Sequence, residues 1–174
     1  MRKDAPGFTL IEALITLAVL AVLLGLALPG FSDALERQRT GTALHLVSAQ
    51  FAQARSTAVT RRMPITVCPS RGGGLCSNDA DWSHGWLMYR DPSHAPQPRL
   101  PSDVLRDTRQ PVHHSVRILS SVGRPRIRFQ QDGRSGGTNL TIRVCIDQTL
   151  RGEVVVNNVG RVRTHRPATQ RPCP

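Results

Sequence analysis

The sequence predicts an α+β protein, one long N-terminal helix packed on an antiparallel β-sheet, on three observations. Residues 8–28 form an apolar run of 21 residues in which Glu12 is the single charge. Behind it, Leu44, Val47, Phe51, Ala54 and Ala58 recur at spacings of three and four, the period of a helix with one buried face. The remainder falls into short alternating segments separated by Gly, Pro and Asp-Gly signals, the pattern of strands joined by turns.

The first element, as a helix, is about 31 Å long, the thickness of a bilayer's hydrocarbon core. An ionised carboxylate held in lipid costs on the order of 2–4 kcal/mol, so Glu12 needs a partner. A short leader with Arg2 and Lys3 precedes the run, as in a secretory signal, but no small-x-small cleavage site follows it. Pro29 and Gly30 are expected to bend the helix or mark its exit from the membrane. From residue 31 to about 60 the helix continues as an amphipathic stretch, with Gln50, Gln53 and Thr57 as a polar stripe and Gly41 as a point of local loosening. Arg61 and Arg62 close it beside the helix C-terminus, and Pro64 blocks continuation.

Strands are expected at 64–68, 85–90, 116–120, 126–130, 140–147 and 153–159, the last running on towards Arg163. Residues 69–84 read as a Gly- and Ser-rich loop pinned by Cys76, and residues 92–111, with five prolines, as an irregular surface excursion. Alternation sets Ile127 and Phe129 against Arg126, Arg128 and Gln130, and sets Leu140, Ile142, Val144 and Ile146 against Thr141, Arg143, Cys145 and Asp147. If the apolar faces meet the helix, the arginines lie on the open face of the sheet.

Four cysteines, Cys68, Cys76, Cys145 and Cys173, allow three connectivities. Cys68–Cys76 with Cys145–Cys173 is favoured, because each pairing closes a loop next to an expected strand; the second would draw the C-terminal tail towards Arg143. A zinc site is disfavoured by the absence of C-x-x-C and of a histidine at ligand spacing.

Charge is concentrated late in the chain. Residues 31–62 carry +3, residues 63–114 are neutral, and residues 115–174 hold eleven arginines against Asp132, Asp147 and Glu153, or +8. That asymmetry points to a polyanionic partner more than to general solubility.

Gly7-Phe8-Thr9-Leu10-Ile11-Glu12, with Pro29 beyond the apolar run, resembles the class III signal of type IV pilins and pseudopilins. The resemblance implies a prepilin peptidase that cuts between Gly7 and Phe8 and methylates the new amine of Phe8. It also implies that Glu12 faces the N-terminal amine of a neighbouring subunit in a filament. The chain then divides into a leader (1–7), a transmembrane or filament-core helix (8–30) and a periplasmic pilin-like domain with a basic tail (31–174). Its implied course is from the inner membrane to a pilus or pseudopilus, with other pilins or pseudopilins as partners.

The stretch from Phe51 to Cys68, Asp81-Trp82-Ser83-His84-Gly85-Trp86, Asp132-Gly133-Arg134-Ser135 and Gly160-Arg161-Val162-Arg163 resemble the GspH/FimT family of pseudopilins and minor pilins. The last of these is similar to the Gly-Arg-x-Arg motif of FimT-type proteins, associated with DNA binding in natural transformation. The implied contacts are Gly160, Arg161 and Arg163; alternation adds Arg126, Arg128 and Arg143 on the open face, and a Cys145–Cys173 bond would add Arg166. Two arginines at i and i+2 of an extended segment leave one face about 7 Å apart, close to the phosphate spacing of one strand, and guanidinium forks onto phosphate oxygens. Contact with phosphates alone is sequence-independent and salt-sensitive. Against this stands an ordinary solvated strand whose arginines pair with carboxylates.

Other candidates are weaker. Trp82 and Trp86 flank a turn beside a disulfide loop and are expected in the core rather than stacking on bases. His84, His113 and His114 are expected as surface or packing residues, Asn139-Leu140-Thr141 as an accidental sequon, and no catalytic grouping, metal site or cofactor is expected. Three functions remain: a DNA-binding minor pilin serving uptake, a minor pilin that primes assembly, and a type II secretion pseudopilin.

Overall fold

The computed structural model describes residues 9–121, 123–169 and 171–173, with the backbone alone at residue 29. Helix α1 (Leu10–Thr60) opens on a capping box. Thr9 Oγ1 accepts the Glu12 amide at 3.3 Å, and Glu12 Oε2 accepts the Thr9 amide at 3.1 Å. The helix runs unbroken through Pro29 and Gly41, so neither ends it: a proline removes one backbone bond while the flanking turns keep theirs. Its C-terminus is a Schellman turn. Arg62 takes φ 47°, its amide bonds to Val59 O at 3.3 Å, and the Met63 amide reaches Ala58 O at 3.1 Å.

Residues up to Gln38 and Arg39–Pro174 are separate compact units. In the first, the large apolar side chains from Leu10 to Leu28 are exposed, on a helix long and apolar enough by length and composition to cross a membrane. In the second lie all the buried residues among those described, from Thr40 onward, together with both disulfides. This unit therefore has its own core and both covalent ties, what a domain needs to fold alone.

Among the described residues, nine strands follow in the second unit: β1 (Ile65–Pro69), β2 (Gly85–Arg90), β3 (Val104–Arg109), β4 (Val116–Ser120), β5 (Ile127–Phe129), β6 (Leu140–Ile146), β7 (Thr149–Val156), β8 (Val162–His165) and β9 (Arg171–Pro172). They form two antiparallel sheets where one was expected. The first has the order β3-β2-β1-β5; the second has β4-β6-β7-β8, with β9 also on β7. Both present their apolar faces to one core. Leu44, Val47, Phe51, Ala54 and Ala58 of α1 meet Ile65, Val67 and Phe129 of the first sheet and Ile118, Ile142 and Val154 of the second.

The Pro-rich span expected to be irregular contains a 3₁₀ turn (Pro101–Asp103) and β3. As an edge strand, β3 needs little apolar alternation and carries charge outward, so periodicity did not mark it. The last expected strand is divided. β7 ends at Val156 and β8 starts at Val162. Gln50, expected on a polar stripe, is buried: its Oε1 accepts Trp86 Nε1 at 3.1 Å, and its Nε2 lies 3.4 Å from Met88 Sδ. Trp82 is buried edge-on to Phe51, with ring centroids 5.7 Å apart.

Candidate nucleic-acid interface

The Gly160-Arg161-Val162-Arg163 stretch is the return arm of the β7–β8 hairpin. The Gly160 amide bonds to Asn157 O at 2.9 Å and the Asn157 amide to Arg161 O at 3.2 Å, a three-residue loop that requires a left-handed last position. Gly160 supplies it with φ 77°. A Cβ there would also collide with Gly133 O, which accepts Arg55 Nε at 3.1 Å. The β5–β6 loop braces the hairpin tip from the same side. The Ser135 amide bonds to Asn158 O at 3.0 Å, and Ser135 Oγ donates to Asn157 O at 2.7 Å. Gly160 is therefore buried and positions its neighbours; Arg161 and Arg163 are exposed.

Asn157 was not among the expected site residues. Its Oδ1 accepts the Arg161 amide at 2.8 Å, which fixes where Arg161 starts. An Asn at the mouth of a hairpin loop is a turn signal, legible once the loop's limits are known.

Register divides the basic residues between faces. Val155 lies opposite Arg163 and Glu153 opposite His165, while buried Val154 and Val156 face Thr164 and Val162. Arg163 therefore stands on the face away from α1. Arg143 lies opposite Glu153 on that face, and its Nε is 3.5 Å from Glu153 Oε1, so its charge is already paired. Thr164 faces α1, and so does Arg166, whose guanidinium lies 3.4 Å from where a Cβ on Gly41 would stand. Arg166 is thus turned away from Arg163.

Arg126 and Arg128 belong to the other sheet. Arg128, with a side chain 15% exposed, bonds to Asp91 Oδ2 at 3.1 Å and to Asp91 O at 2.8 Å. Its face carries Thr66, which donates to Asp91 at 2.7 Å, beside a small core of Cys68, Cys76, Leu87 and Tyr89. Alternation set Arg128 on the side away from α1, but chain covers that side. Arg126 stands near Tyr89, whose phenol is pushed up by burial and by the Asp91 charge, with Arg126 opposing.

Cys145 is bonded to Cys173 (Cα–Cα 6.0 Å) and Cys68 to Cys76 (5.6 Å). The first bond holds the returning tail, where β9 pairs Arg171 with Leu150 on the β7 edge. Gly7 and Phe8 lie outside the described residues. Glu12 Oε2 also accepts Thr9 Oγ1 at 3.1 Å, so within one chain the carboxylate caps its own helix. Thr9 was readable in advance from the Thr-x-x-Glu spacing of a capping box.

The family model for "Type II transport protein GspH" matches residues 43–160, more than half of the chain. The chain belongs to the GspH family. A second model, the prokaryotic N-terminal methylation motif, matches residues 2–28, in keeping with membrane anchoring and filament incorporation for this GspH-family chain. No curated protein matches it in sequence. Among solved structures, the type IV minor pilin FimU of Pseudomonas aeruginosa aligns at 18% identity and a TM-score of 0.60, covering 79% of this chain and 97% of FimU. The minor pseudopilin EpsH of the Vibrio cholerae type 2 secretion system aligns at 9% identity and 0.51, covering 75% and 99%. At these identities the likeness is one of fold: a long helix on antiparallel sheet. The GspH match ends at Gly160, so Arg161, Arg163 and the tail lie beyond it.

Proposed function

We infer that this GspH-family chain is a minor type IV pilin that binds DNA without sequence preference and serves DNA uptake. One observation carries the reading: Arg161 and Arg163 stand exposed at a braced hairpin with no ion-pair partner among the described residues. Several other arginines of this unit are already matched. Arg71 pairs with Asp79, Arg90 with Asp103, Arg109 with Asp107, Arg128 with Asp91 and Arg143 with Glu153. Two unmatched guanidiniums on a rigid edge can fork onto phosphates without first losing a carboxylate. Processing after Gly7, a Glu12 that exchanges Thr9 for a neighbour's amine on assembly, and a periplasmic domain belong to the same proposal.

The test is a DNA titration of residues 31–174, which contain the second unit, at several salt concentrations, beside Arg161→Ala/Arg163→Ala. The expected result is binding that weakens steeply with salt, with a log–log slope smaller by about 1–2 in the double variant. Equal binding by both forms, or none by the wild type, would leave a structural minor pilin or secretion pseudopilin.

A further inference from the structure

The opposite side of β8 closes a pocket against α1. Gly41, His45, Ser48, Thr164 and Arg166 are among the residues lining its volume of about 350 Å³, and no carboxylate lines it. The alternation of β8 aims Thr164 inward, and the Arg166 guanidinium rests over Gly41. A glycine in mid-helix is unfavourable relative to alanine; here its missing Cβ leaves room for the Arg166 guanidinium. Ser48 Oγ donates to His45 O at 3.0 Å. Among the described residues, the side chains of His45, Thr164 and Arg166 enter no hydrogen bond or ion pair. The pocket therefore combines a guanidinium, an imidazole and a hydroxyl with uncommitted donors, and nothing acidic in its wall.

We propose that this pocket binds a phosphate group. The Arg166 fork takes two oxygens, the geometry in which guanidinium outperforms ammonium. His45 and Thr164 take a third from the two walls. Ser48 Oγ, its proton given to the helix, shapes the floor. The phosphate comes either free from solution or from a nucleic-acid strand. The pocket is separate from the Arg161/Arg163 face, on the other side of the same strand, so it does not depend on the DNA-binding reading.

The experiment follows backbone amides of residues 31–174 by NMR while inorganic phosphate replaces chloride at constant ionic strength. Saturable shifts at residues 45, 48 and 164–166 are expected, with affinity reduced about tenfold or more in Arg166→Ala, which removes a charged fork. Ser48→Asp, which sets a carboxylate in the pocket, is expected to abolish the response. Both positions are at least partly exposed, and unchanged melting checks the fold. Shifts that never saturate, or equal affinity in Arg166→Ala, overturn the proposal. In a parallel arm, a short 5′-phosphorylated oligonucleotide that moves the same amides assigns a strand as the source. Movement by inorganic phosphate alone assigns the free ion. Phosphate shifts retained in Arg161→Ala/Arg163→Ala, with no DNA binding by the wild type, would remove the DNA-binding reading and leave the pocket standing.

Discussion

Gly160→Ala is expected to be among the most damaging loop substitutions in this protein, and the structure separates its two causes. The first is backbone strain: φ 77° at residue 160 costs an L-residue about 1–2 kcal/mol. The second is collision. The new methyl would meet the Gly133 carbonyl, a rigid backbone atom already bonded to Arg55, and forced repacking of this kind costs about 1–3 kcal/mol. Together they make about 2–5 kcal/mol, or a fall in Tm of roughly 6–20 °C for a domain of this size. Gly73 is the internal control. It has φ 74° with nothing within 4 Å of its would-be Cβ, so Gly73→Ala should show the strain without the collision. Thermal and urea unfolding of residues 31–174 would measure both. Equal losses in the two variants would refute the claim that the hairpin is wedged against the Asp132-Gly133 turn. An unchanged Tm in Gly160→Ala would refute the geometry of the turn itself.

Asp91→Ala should cost about 3–5 kcal/mol, because it strands the Arg128 guanidinium in a nearly closed site and deprives the Ala95 amide of its 2.7 Å acceptor; urea midpoints with an unchanged m-value would check it. Cys173→Ser should cost about 2–4 kcal/mol under non-reducing conditions, and a melting temperature equal to wild type would count against the Cys145 bond as a stabilising tether. Burial raises the Asp81 carboxyl, but hydrogen bonds from Ser83 and the charges of His84 and Arg117 outweigh it and hold it below the usual carboxylate value. Its stabilisation is therefore present above the unfolded pKa and lost as pH falls through the folded one, below about pH 4. Asp81→Asn should flatten the acid limb of the stability curve, and an identical limb in both proteins would exclude that contribution.

The sequence alone determined the long helix, its apolar first half and the face it buries. Spacings at Leu44, Val47, Phe51, Ala54 and Ala58 admit one periodicity, and side chains at that period must share a side. It also marked β2 and β4 and the turn at Asp132-Gly133, because turn chemistry and alternation are local. Tertiary structure decided what local pattern does not carry. Arg128 reads like Arg163, an arginine alternating with apolar neighbours, yet one meets Asp91, thirty-seven residues away, and the other meets none of the described carboxylates. The division into two sheets, the pairing of β3 and the burial of Gln50 are likewise settled by partners distant in the chain. Charge can be counted along a sequence, but whether it is free depends on which carboxylate the fold brings beside it.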